Sequence, residues 1–107
     1  MRSVAPRATF CGLLVLAGVH AAPASEATSV VIDNLDFSPA AVTVHVGDVV
    51  SWINRDIVEH TATAKSGDFD VLTPKDKPVR WRASKVGEFS YFCRLHPNMT
   101  GVIRVIR

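Results

Sequence analysis

Cysteine is scarce in this sequence, with two among 107 residues. They are not placed as an obvious pair: Cys11 lies in an apolar N-terminal run and Cys93 near the C-terminus. No apolar run reaches the about 20 residues that a membrane-spanning helix needs. The uncharged stretch Ala8 to Val19 (ATFCGLLVLAGV) is shorter, follows Arg2 and Arg7, and precedes the small residues of HAAPASEA. A basic start, an apolar centre and a small-residue end make up a secretory leader. Residues 1–24 are therefore expected to be a cleaved signal peptide, and residues 25–107 the mature domain, exported to the periplasm. Both Ala22-Pro23-Ala24 and Val19-His20-Ala21 fit the cleavage pattern, and an uncleaved anchor is the alternative. A cysteine that takes a lipid would follow the apolar run, whereas Cys11 lies at its start.

Charge imbalance is also missing. Twelve Lys and Arg stand against ten Asp and Glu, but two of the cations, Arg2 and Arg7, belong to the leader and none of the acids does. The mature chain is close to neutral, which gives no case for nucleic-acid or membrane-surface binding. There is no internal repeat, no low-complexity tract and no helical period of useful length. Without the leader, Cys93 has no partner in its own chain. Export permits disulfides, so a lone thiol implies intermolecular pairing, a reactive group or a ligand. A domain this short buries only about 60–68% of its unfolded surface, and a metal could add a constraint.

What is present is strand after strand. Ser29–Ile32 is short and β-branched, Asp36–Pro39 reads as a turn, and Val42–Val46 alternates apolar with polar. Gly47-Asp48 breaks that run before Val49–Asn54, and His60–Ala64 is again β-prone. Ser66-Gly67-Asp68 is a turn, Phe69–Leu72 a short strand and Pro74–Pro78 a loop. Val79–Ala83 alternates with Val79, Trp81 and Ala83 inward; Gly87–Cys93 and Val102–Ile106 complete the series. Seven to eight short strands between closely spaced turns predict an all-β, antiparallel Greek-key sandwich.

The chemistry gathers in YFCRLHPNMTG. Cys93, His96 and Met99 form C-x2-H-x2-M on a loop between two strands, stiffened by Pro97 and released by Gly101. Thiolate and thioether are soft donors that suit copper(I), and imidazole suits both oxidation states. Two histidines, one cysteine and a weak axial methionine make up the blue-copper ligand set. A second histidine must come from elsewhere. His60, after the loop Arg55–Glu59, can reach the same end of a sandwich, while His45 stands in the solvent-facing register of its strand. Taken singly, the cysteine and methionine read as core and the histidine as surface. Their joint spacing and the missing disulfide partner favour a metal. Zinc is the weaker competitor, since it has little use for a thioether.

Two segments, Gly47–Arg55 with His60, and Gly87–Cys93 through Met99 and Gly101, resemble the cupredoxins, closest to their amicyanin/plastocyanin-like group. The likeness covers nearly all of Ser29–Arg107. It implies an eight-stranded Greek-key sandwich with one copper near one end, held by His60, Cys93 and His96 with Met99 as the weak axial donor. It further implies that Asn54 ties the two ligand loops together and that the Thr61 backbone N–H donates to the Cys93 sulfur. His96 would be the electron exit, in an apolar patch with Leu95 and Pro97, and protons would compete with metal for it in acid. Glu59, Arg94-Leu95 and Asn98 depart from the group's pattern without removing a ligand.

The expected function is a periplasmic one-electron carrier cycling copper between +1 and +2. It is not expected to be an enzyme. It is expected to act as a monomer meeting transient redox protein partners, with no membrane span in the mature chain. The rival is a periplasmic copper-binding or delivery protein. A purely structural metal role would predict a redox-inert chain that unfolds when metal is removed.

Overall fold

The computed structural model describes Ser3, Val4, Gly12 and residues 27–107. Apart from those three positions, the expected leader lies outside the described residues, as does the domain start at Ser25. Nine strands follow in chain order: β1 (Ala27–Asp33), β2 (Asp36–Ser38), β3 (Ala41–His45), β4 (Val49–Asn54), β5 (His60–Ala64), β6 (Asp70–Thr73), β7 (Val79–Arg82), β8 (Gly87–Phe92) and β9 (Thr100–Ile106). They form a four-stranded sheet in the order β2-β1-β4-β7 and a five-stranded sheet in the order β3-β9-β8-β5-β6. The all-β sandwich expected from the strand pattern is the observed architecture.

Two expectations need correction. Asp36–Ser38 is a strand, not a turn: it pairs with β1 through Val31↔Ser38, Ile32↔Phe37 and Asp33↔Asp36. The turn is at Asn34 and Leu35, both at positive φ (50° and 59°). Phe37 then points inward as core, while Asp36 and Ser38 stay exposed. The sheets are also not purely antiparallel. β1 runs parallel to β4 and β3 parallel to β9. Such pairs need long crossover connections, which adjacent turn signals do not reveal.

The period-2 alternation of β4 buries Val50, Trp52 and Asn54 on one face. Trp52 meets the Tyr91 ring edge-on at 5.7 Å, and its Nε1–H donates to the Tyr91 hydroxyl at 3.4 Å. Phe37 and Phe69 close on the same ring at 4.7 and 5.8 Å. Burial pushes the Tyr91 phenol up to about 12 against the opposing pull of the Trp52 bond.

Surface carboxylates hold the β5–β6 region. Asp68 accepts from the Ser66 hydroxyl and pairs with Lys85; Asp70 accepts from the Thr63 hydroxyl and pairs with Arg94. These bonds place both carboxyls below their ordinary value, the hydroxyl first and the cation second. A depressed folded value stabilises the native state fully above the unfolded value of about 3.9, and the contribution is lost as pH falls through the folded value. These two carboxylates are therefore expected to add a constant increment to the urea midpoint of metal-free protein from neutral pH down to about 5, and one that falls away below about 4. An Asp68→Asn, Asp70→Asn double variant should show a shallower fall.

Candidate metal centre

His60 opens β5 and is wholly buried. Cys93 directly follows β8 and is wholly buried as well; His96 is half-buried on the β8–β9 loop. The loop is closed by two backbone bonds, Cys93 N–H to the Met99 carbonyl at 3.1 Å and Met99 N–H to the His96 carbonyl at 2.9 Å. Met99 is buried at its base. The Cys93 Sγ lies 3.7 Å from His60 Nδ1 and 3.8 Å from His96 Nδ1. All three donor atoms lie within 4.8 Å of one another.

These separations fit a bound ion. With metal–nitrogen near 2.1 Å and metal–sulfur near 2.3 Å, trigonal angles put a nitrogen about 3.8 Å from the sulfur. The donor set fits copper better than zinc, because two imidazoles, one thiol and a thioether on the same loop are the soft and borderline mixture that copper takes. His45, at the end of β3, is exposed and pairs with Asp48, away from this cluster.

Neighbouring groups orient the donors. Thr61 N–H donates to Cys93 Sγ at 3.3 Å. His60 Nε2 donates to Asp56 Oδ2 at 2.8 Å, a bond that in the neutral ring keeps the proton on Nε2 and turns the Nδ1 lone pair towards the sulfur. Asp56 also accepts from the N–H groups of Asn34 and Leu35 at 2.9 and 3.1 Å. It thereby satisfies the β1–β2 turn, whose left-handed leucine is otherwise costly. Burial raises the Asp56 carboxyl, but the Leu35 N–H, the His60 ring and the Asn34 N–H together outweigh it and hold the group below its ordinary value.

Asn54 departs from its expected role. Its amide donates to the carbonyls of Val58 and Thr73, and its oxygen accepts the Asp56 N–H. It braces the β4–β5 loop on the His60 side and makes no bond to the Cys93 loop. Thr61 links the two sides instead, with its N–H on the sulfur and its hydroxyl accepting the Arg94 N–H at 2.8 Å. Asp56 was missed as a site residue. Its one sequence signal was an acid four positions before a candidate ligand.

Leu95 and Pro97 are exposed beside His96. A groove of about 430 Å³ opens there, bordered by Leu35, Leu95, His96, Pro97 and Met99. Among the described residues, no helix is long and apolar enough to cross a membrane.

A small sandwich with two imidazoles and a cysteine sulfur converging at one end defines a mononuclear metal-binding β-protein. The chain belongs to the cupredoxin-like domain family, whose sequence profile matches residues 7–105. Amicyanin from Paracoccus versutus is 27% identical over 88 residues, spanning 76% of this chain and 66% of the relative's length. A reduced amicyanin variant of known structure superposes with a TM-score of 0.65 at 25% identity, covering 81% of this chain and 87% of that one. A copper-containing nitrite reductase from Thermus scotoductus superposes with a TM-score of 0.66 at 28% identity; the match takes in 75% of this chain and 22% of that larger one.

Proposed function

We propose that this chain is a one-electron carrier of the periplasm, holding one copper ion between His60 Nδ1, Cys93 Sγ and His96 Nδ1, with Met99 as the weak fourth donor. The observation that carries the reading is the convergence of those three atoms, at 3.7 and 3.8 Å from the sulfur, on a rigid sheet end. Bound copper supplies the electron store, alternating between +1 and +2. The protein supplies the frame. Burial of Cys93 and His60 keeps water from the sulfur and one imidazole. Asp56 holds the tautomer of His60, and the Thr61 N–H draws charge from the sulfur.

His96, at the groove, is the exit for the electron, with Leu95 and Pro97 forming part of the patch that a partner covers. An exposed patch around the exit histidine suits brief encounters between redox proteins. Export rests on the leader pattern of residues 1–24. The likeness to amicyanin favours electron transfer over turnover.

Copper-loaded mature protein should show an intense visible thiolate-to-copper band and a reversible redox couple. Absence of both in folded protein overturns the reading. Fast copper transfer to an apo acceptor with slow electron self-exchange would favour delivery instead. A further expected outcome concerns Asp56→Ala. Removing the carboxylate leaves the His60 Nε2–H and two turn N–H groups without their acceptor, and copper affinity, read by chelator competition, should fall about 10–100-fold.

A further inference from the structure

We propose that Asp70 and Arg94 are positioning residues for the Cys93 donor, acting through a closed ring of hydrogen bonds around the start of the ligand loop. The inference rests on the reading of Cys93 as a copper ligand. The ring begins at the Arg94 backbone, whose N–H donates to Thr61 Oγ1 at 2.8 Å. The hydroxyls of Thr61 and Thr63 lie 2.9 Å apart. The Thr63 hydroxyl lies 2.8 Å from Asp70 Oδ1, and the Arg94 Nε–H donates to that same oxygen at 3.1 Å.

The direction of every bond follows. An ionised carboxylate only accepts, so Thr63 gives its one proton to Asp70. Thr63 Oγ1 must then accept from Thr61, and Thr61 Oγ1 is left to accept from the Arg94 N–H. The circuit leaves Arg94 through its backbone and returns through its guanidinium. A charged terminus strengthens such a chain, because each bond polarises the next.

The Asp70–Arg94 pair is about half exposed, and a solvated ion pair by itself adds little stability. Its leverage comes from what the ring encloses. Thr61 is 1% exposed and Cys93 not at all. Thr61 grips Cys93 twice, by its N–H on the sulfur and by its hydroxyl on the next peptide. Arg94 is also one of the two residues between Cys93 and His96, so the ring fixes where the loop leaves the sheet. Three strands contribute: β5 the two threonines, β6 the aspartate, and the end of β8 the loop itself.

The test uses Thr63→Val and Asp70→Ala to open the ring and Thr63→Ser to keep it. In metal-free protein, loss of the ring should speed hydrogen exchange of the Arg94 amide about five- to tenfold relative to the β8–β9 ladder amides. In copper-loaded protein the same two variants should shift the visible band and the reduction potential, with melting temperatures near that of the parent, and Thr63→Ser should restore both. Unchanged exchange in the opened variants overturns the ring. Faster exchange with an unmoved band and potential overturns its role in positioning the donor. If the parent itself shows no thiolate-to-copper band, the copper reading fails, and the exchange rates still judge the ring.

Discussion

A Cys93→Ser chain is expected to lose the visible thiolate-to-copper band completely while the metal-free protein keeps its fold. The two halves of that expectation have different causes. Cys93 is wholly buried, and its sulfur accepts the Thr61 N–H. A serine oxygen can accept the same bond, so no buried donor is left unsatisfied and the stability cost should stay near 1 kcal/mol. The core also extends well past the site: Val30, Ile32, Val50, Trp52, Tyr91 and Ile103, at 0–1% exposure, belong to the buried cluster that Cys93 and Met99 join. Chelation of the metal should therefore leave the sheet signal in circular dichroism intact, contrary to what a purely structural metal would require. The band has no such latitude. It belongs to a soft, deprotonated sulfur, and a hydroxyl is neither soft nor readily deprotonated. Visible absorption and circular dichroism on the same sample decide the matter. An intense band surviving in the serine variant would remove Cys93 from the ligand set.

The legibility of this fold varied with how local its determinants are. β4 and β5 could be read to the residue, because both runs are rich in β-branched residues and Gly47-Asp48 and the Arg55–Glu59 loop punctuate them. β2 could not, because Asp-Phe-Ser-Pro has turn composition and its one core side chain, Phe37, is recognised only against the Tyr91 ring. The parallel pairing of β1 with β4 and of β3 with β9 joins segments far apart in the chain, where strand periodicity carries no information on partners. The same division runs through the site. Cys93, His96 and Met99 stood out because soft donors are rare and here fall within seven residues. Asp56 and Asp70 did not, because a lone aspartate beside a turn reads as a solvated charge. Its meaning comes from the His60 ring in one case and from the Thr63 hydroxyl in the other.

Gly101→Ala is expected to cost about 3 kcal/mol, the upper part of the range for overpacking a core, or a fall of roughly 12–24 °C in Tm for a domain of this size. Gly101 stands directly opposite Tyr91 in the β8–β9 ladder. A Cβ there would lie within 2.6 Å of Tyr91 Cε1 and Oη, and still closer to Cζ. The ring has little room to retreat: it is 1% exposed, flanked by Phe37, Trp52 and Phe69, and held at its hydroxyl by Trp52. The backbone is equally constrained, because this rung lies just beneath the loop of Cys93, His96 and Met99. Tyr91→Phe should not relieve the clash, since Cζ and Cε1 remain. Tyr91→Leu should relieve it in part, so that the double variant Tyr91→Leu, Gly101→Ala loses less than the sum of the single changes, as neighbours sharing one space do. Thermal melts of the metal-free proteins read the cost, and the copper spectrum of whatever remains folded reads the displacement of the loop. A Gly101→Ala protein that melts within two or three degrees of the parent would mean that the Tyr91 ring can move aside, and the rung would then be a softer support for the ligand loop than its packing implies.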